Sequence, residues 1–202
     1  MSTAENHRSA AGLKASELIT GHPPLLRMLE YLEIPLGVRD LTVEQLCLEN
    51  DINPALFLTL ADLFMGRRHL DDPAYRREAL HIIIRYLKNN HQYYLDEKYP
   101  EIQGYIRQIT EVNPLPEVQM IDRFFNDYFV EVVEHFDYET RVVFPYVLEL
   151  DRCLSEGRAM TTSTAYSVSE YREHHNDIEE KLTDLKNLLV KYLPVKGDQR
   201  PR

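Results

Sequence analysis

Between Ile121 and Leu150 the side chains Ile121, Phe125, Tyr128, Val132, His135, Glu139, Val142, Tyr146 and Leu150 recur at alternating steps of four and three. That repeat is one face of an α-helix packed on a core. Two members of the series are not apolar. His135 and Glu139 are four residues apart, so on a helix they stack one turn above the other, in the middle of the buried seam. An unpaired carboxylate costs several kcal/mol to bury even after relaxation, so a cation or a hydrogen-bond donor is expected beside it. An inward His-x-x-x-Glu pair is how helical bundles present one imidazole and one carboxylate to a metal. The competing reading is a core histidine bonded to its neighbouring glutamate, with Arg141 or a tyrosine completing the network.

The rest of the chain has the same character. Seven glycines in 202 residues, abundant Leu, Glu, Lys, Arg and Tyr, and no long period-two alternation make the expected fold class all-α. The length allows one substantial core with a small second unit. Residues 1–12 read as a disordered leader and 13–65 as a small helical domain. Within it Pro23-Pro24 opens a helix carrying Leu25, Leu26, Leu29 and Leu32. Thr42 and Gln45 form a capping box, and Asn53-Pro54 pairs a cap with a proline at the first helical position. Cys47 falls on the apolar side of its helix with Val43 and Leu46, the place of a small core residue. The polar run 66–72, with His69 in it, reads as a linker, 73–193 as a bundle of long helices and 194–202 as a polar tail.

The first long helix, 73–99, carries the stripe Leu80, Ile84, Leu87, His91, Tyr94, and Pro100 is expected to stop or kink it. His91 interrupts that apolar series as His135 does the next, while His81 falls off it. A second helix, 117–156, holds the His135–Glu139 pair. The third, 165–192, repeats the pattern with Val168, Tyr171, His175, Ile178, Leu182, Leu185 and Leu189. Spacing turns His175 inward and His174 outward, and Glu179 flanks the stripe. Three inward histidines on three helices with one inward glutamate point to a bound metal, and the candidate ligands are His91, His135, Glu139 and His175.

Charge and cysteine usage narrow the partners. Lys and Arg number 23 against 33 Asp and Glu, a net charge of −10 with no basic run, which argues against nucleic acid or an anionic membrane surface. No apolar run approaches the ~20 residues of a membrane span. The two cysteines, Cys47 and Cys153, match neither a disulfide framework nor a CxxC site, as in a reducing cytoplasm. The polar N-terminus is not a signal peptide.

The segments RYLKNNHQYYLDEKYPEI, EHFDYETRVVFPYV and EYREHHNDIEEKL together resemble the hemerythrin-like domain of the repair-of-iron-centres family, and TVEQLCLENDINP resembles the small domain ahead of it. The resemblance covers about residues 15–190. It implies an antiparallel up-down helical bundle and carries iron-ligating roles onto His91, His135 and His175 and a bridging role onto Glu139. It departs in two places. Redox-active members carry adjacent cysteines where this chain has Leu36-Gly37, and the family's fourth helix brings a second His-x-x-x-Glu motif that does not follow Leu193. Three long helices are present and a fourth is missing, which leaves an apolar groove. Three outcomes are open: a longer natural chain, a partner or second copy (a homodimer) filling the groove, or one metal with water completing its shell.

The expected function is a cytoplasmic non-haem iron protein, binding dioxygen or nitric oxide or supplying iron to damaged iron–sulfur proteins under stress, rather than a classical enzyme. The cofactor would be di-iron if a fourth helix is supplied, with zinc suited to the same ligands. Tyr94, Tyr128, Tyr138 and Tyr171 are candidates to bond or gate the site, with core filling the leading reading for each. The rivals are a metal- or gas-responsive module that binds a partner without delivering iron, and a purely structural bundle.

Overall fold

A computed structural model of the chain describes residues 11–67, 79–160 and 168–192. The leader through Ala10, most of the expected linker (68–72, with His69), the start of the first long helix (73–78), residues 161–167 and the tail from Leu193 lie outside the described residues, as does the side chain of His174. Among the described residues the fold is all-α, without a strand. The chain divides into two compact units between Asn90 and His91.

The first unit contains α1 (Ala15–Gly21), α2 (Leu25–Tyr31), α3 (Val43–Glu49) and α4 (Pro54–Phe64). Thr42 accepts from the Gln45 amide while Gln45 Oε1 accepts from the Thr42 amide, the reciprocal cap that starts α3. Asn53 accepts from the Ala55 amide 2.8 Å away, and Pro54 opens α4. Each such cap contributes about 1 kcal/mol. An isolated bridge between Lys14 and Thr42 ties the start of α1 to the start of α3. The core holds Leu25, Met28, Leu29, Val43, Cys47 and Phe57, all but inaccessible to water. Ile82, Ile83 and Tyr86, from the beginning of α5 (Leu80–Tyr93), pack on that core.

In the second unit the end of α5 runs through a π-helical segment, π1 (Tyr94–Lys98), into α6 (Tyr99–Val112). After the short connection 113–115 comes α7 (Pro116–Tyr138), a second π-helical segment, π2 (Glu139–Val143), and α8 (Phe144–Glu156). Gly157 closes α8 in the left-handed conformation, φ 65°, that a terminating residue needs and glycine adopts without strain. The last helix is α9 (Val168–Tyr192). Partners step down α7 as they step up α6: Tyr99 meets Phe125 and Asn126, and Ile106 clusters with Ile121. The same holds for α9, where Tyr171 meets Glu139, Lys181 meets Glu131, and Leu185 clusters with Ile121 and Phe125. Both helices therefore run antiparallel to α7.

The two π segments bear on two expectations. Pro100 does not stop its helix, which runs on through π1 into the segment that ends at Val112. Proline cannot donate to the carbonyl four residues back and its ring collides with it. For Pro100 that carbonyl belongs to Asp96 and for Pro145 to Arg141, and both residues lie inside a π segment. One extra residue in the turn accommodates the ring, so the helix continues. The extra residue also rotates whatever follows. Ile121, Phe125, Tyr128, Val132, His135 and Glu139 are buried as the three-four series requires, but from the end of π2 onward the buried positions are Val143, Phe144 and Cys153. Val142, Tyr146 and Leu150, expected in the core, are only half-buried.

Candidate metal centre

His91 comes from the last turn of α5, His135 from the last turn of α7, and Glu139 opens π2. All three are buried. His91 Nε2 lies 2.9 Å from Glu139 Oε2, and His135 Nε2 lies 3.4 Å from Glu139 Oε1, so each carboxylate oxygen has its own imidazole. The Tyr171 hydroxyl of α9 donates to Oε1 as well. Burial pushes the Glu139 carboxyl up, but the hydrogen bonds from His135, His91 and Tyr171 outweigh it and hold the group well below the ordinary carboxylate range.

His175 stands at the edge of this cluster. Its ring centroid is 5.2 Å from that of His135, with the planes at 71°. Its side chain is 42% exposed, and Nδ1 lies 3.7 Å from Glu179 Oε1 on the solvent side. The structure thus brings His91, His135 and Glu139 into direct contact and sets His175 beside His135, at the rim. Arg141, considered as a partner for Glu139, turns outward to Asp137 at 2.8 Å. His81 is exposed, as its position off the stripe requires.

Aromatic rings wall the site. Phe136 stacks on His91 with centroids 3.9 Å apart, and Phe144 lies 6.0 Å from the same imidazole. Tyr94 meets Phe136 edge-on and is hydrogen-bonded to Tyr128, whose phenol burial pushes up to about 12. The aromatic wall escaped the sequence reading. The signal was there in Phe136, next to His135, but a three-four stripe assigns adjacent residues to different faces and so passes over it.

Among the described residues no group of three or more His, Cys, Asp or Glu side chains is placed to hold a metal ion. The carboxylate oxygens take imidazole and phenol donors, and His175 turns toward Glu179. The donor set nonetheless fits a metal that takes nitrogen and oxygen ligands. Ligands sharing one ion at bond lengths of ~2.0–2.2 Å sit roughly 3.0–3.5 Å from each other, and the two imidazole–carboxylate separations fall close to that spacing. A metal-bound imidazole usually donates its other N–H to an outer acceptor. Among the described residues His91 Nδ1 is buried without a hydrogen-bond partner, and the stack on Phe136 fixes its ring plane instead.

Compared with protein-family models, curated proteins and solved structures, the chain finds no match. The functional reading therefore rests on the residues themselves. No helix is long and apolar enough to cross a membrane among the described residues.

Proposed function

We propose that this chain is a non-haem iron-binding protein of hemerythrin-like, up-down bundle type, working in the cytoplasm in iron–sulfur cluster repair or in the response to iron, oxygen or nitric oxide stress. The observation that carries it is the buried Glu139 carboxylate with an imidazole on each oxygen and, among the described residues, no lysine or arginine paired with it. A merely structural carboxylate is cheaper to place at the surface, and burying one among two imidazoles and a phenol makes sense where a cation completes the charge.

His91, His135 and Glu139 would hold the ion, with His175 reaching in from the rim. When bound, iron supplies a redox-active centre that takes small ligands. The chain's own residues do the rest. Phe136 and Phe144 keep water from the His91 side, Glu139 offsets the positive charge, and Tyr171 orients the carboxylate. The exposed flank at His175 leaves a way in for a small molecule and a way out for iron, as delivery to a damaged cluster requires. The iron–sulfur assignment is supported by the motif resemblance alone, and zinc suits the same donors.

The test is elemental analysis of protein purified without chelators from iron-supplemented cells, for the wild type and for His135→Ala. Iron in the wild type and its loss in the variant support the reading, and a ferric absorption band excludes zinc alone. A wild type that carries no metal and whose melting temperature ignores chelator sinks it.

A second reading, a partner-binding module that responds to metal or gas without delivering iron, draws on the first unit, where Leu36 and Leu48 are 58% and 77% exposed. It predicts partner binding that changes with metal state and no transfer of iron to an apo cluster protein.

A further inference from the structure

Among the described residues, the phenol of Tyr171 donates to Glu139 from outside the histidine–glutamate pattern. We propose that the centre takes one metal ion and not a carboxylate-bridged pair, and that Tyr171 steadies Glu139 as a terminal ligand of that ion. The inference rests on the metal-binding reading of the same site.

Two physical arguments lead to it. The first is the division of labour on the carboxylate. An oxygen of this kind offers two lone pairs. Oε1 takes His135 Nε2 at 3.4 Å and the Tyr171 hydroxyl, and Oε2 takes His91 Nε2 at 2.9 Å; imidazoles that turn Nε2 to an ion give up these bonds, while the phenol stays on Oε1 and leaves Oε2 to the ion. A phenol that donates to one oxygen draws charge from it and leaves the other the better ligand. This is the usual arrangement of a coordinating carboxylate steadied by an outer hydrogen bond.

The second is charge. Three neutral imidazoles and one carboxylate supply a single negative charge. The other acidic groups nearby are engaged or solvated: Asp137 pairs with Arg141, Glu131 with Lys181, and Glu179 is 72% exposed. One divalent ion leaves a modest excess of positive charge in this partly apolar setting, and two leave an excess that burial opposes strongly.

Tyr171 and His175 are four residues apart on α9, so the same turn of helix brings the hydrogen bond to Glu139 and the rim imidazole beside His135. Tyr171 is in this account a positioning residue. It touches the ligand and not the ion.

The experiment loads metal-free wild type and Tyr171→Phe with ferrous iron under argon. It reads ions bound per chain at saturation, the rate of removal by excess chelator, and the melting temperature of each metal-free form. The expected result is one ion per chain in both proteins, removal about 10–100-fold faster from Tyr171→Phe, and metal-free melting temperatures that agree. Two ions per chain in the wild type, or equal removal rates, overturn the inference while leaving the metal-binding reading in place. A metal-free Tyr171→Phe that melts far below the wild type overturns it too, because Tyr171 is then a packing residue. A wild type that binds no iron removes the parent reading, and this inference with it.

Discussion

The imidazole of His91 lies flat on the ring of Phe136, centroids 3.9 Å apart and planes 6° from parallel. Phe136 follows His135 in the chain, so one residue pair on α7 serves both histidines: His135 reaches the carboxylate and Phe136 holds the imidazole that reaches it from α5. Replacing Phe136 with Ala should cost about 2 kcal/mol, below the ~3–5 kcal/mol of a fully buried phenylalanine because the ring is half-buried. Phe136→Leu, which keeps most of the volume but loses the flat face, should cost less stability yet weaken iron retention comparably. Urea unfolding and chelator-removal rates separate the two effects.

Glu139→Gln removes the charge and puts an amide N–H against an imidazole that already donates. Iron content should fall more than tenfold on elemental analysis. The acid response should change as well. A carboxyl held below its ordinary value of 4.5 contributes stability that is complete above that pH and drains as pH falls toward the depressed folded value. The wild type should therefore lose more stability between pH 6 and 3 than Glu139→Gln does, measured by urea midpoints. Parallel losses would mean that Glu139 gains nothing from its three donors.

At the alkaline end the sign reverses. Burial raises Cys47 from 9.0, and Tyr86 and Tyr128 from 10.0, each to about 12. Folded values above unfolded ones mean stability fully present below pH 9 and lost as pH climbs toward 12, since only the unfolded chain gives up these protons early. Unfolding midpoints should fall steadily from pH 8.5 to 10.5. Cys47 in the folded protein should resist alkylation at pH 8 and react once urea exposes it, because the thiolate is the nucleophile.

Deleting Thr140 takes one residue out of π2. The turn can then close as an ordinary α-helix only by driving the proline ring into a carbonyl, and Val143 and Phe144 rotate away from the core. The expected loss is about 3 kcal/mol or more. A deletion variant that melts within a few degrees of the wild type would show that the widened turn is not what sets the phase of α8.

The fold class was legible from periodicity because the helices are long and their buried faces regular. The stripe on α7 picked out Ile121, Phe125, Tyr128, Val132, His135 and Glu139, and every one is buried. The helix caps of the first unit were legible for a local reason, since Thr42–Gln45 and Asn53–Ala55 are bonded within three residues of each other. The reading slipped where a constant period no longer described the backbone. Val142, Tyr146 and Leu150 were carried forward at 3.6 residues per turn across a turn that holds more, and Val143 and Phe144 took their place. Contacts between helices were harder still. Tyr171 was one of four tyrosines placed near the site, and nothing in its spacing singled out the phenol that reaches Glu139. The stack of His91 on Phe136 joins residues 45 apart, a distance over which no local pattern carries information.

The widened turns at Tyr94–Lys98 and Glu139–Val143 also bear on how chains of this kind are set side by side. Each behaves as a one-residue insertion that a helix has absorbed without a loop. Set against a regular α-helix without such a turn, an alignment that forbids gaps will pair Val142 of this chain with a core position and assign its true core residues, Val143 and Phe144, to the surface. One gap, opened just after the glutamate, restores the correspondence on both sides.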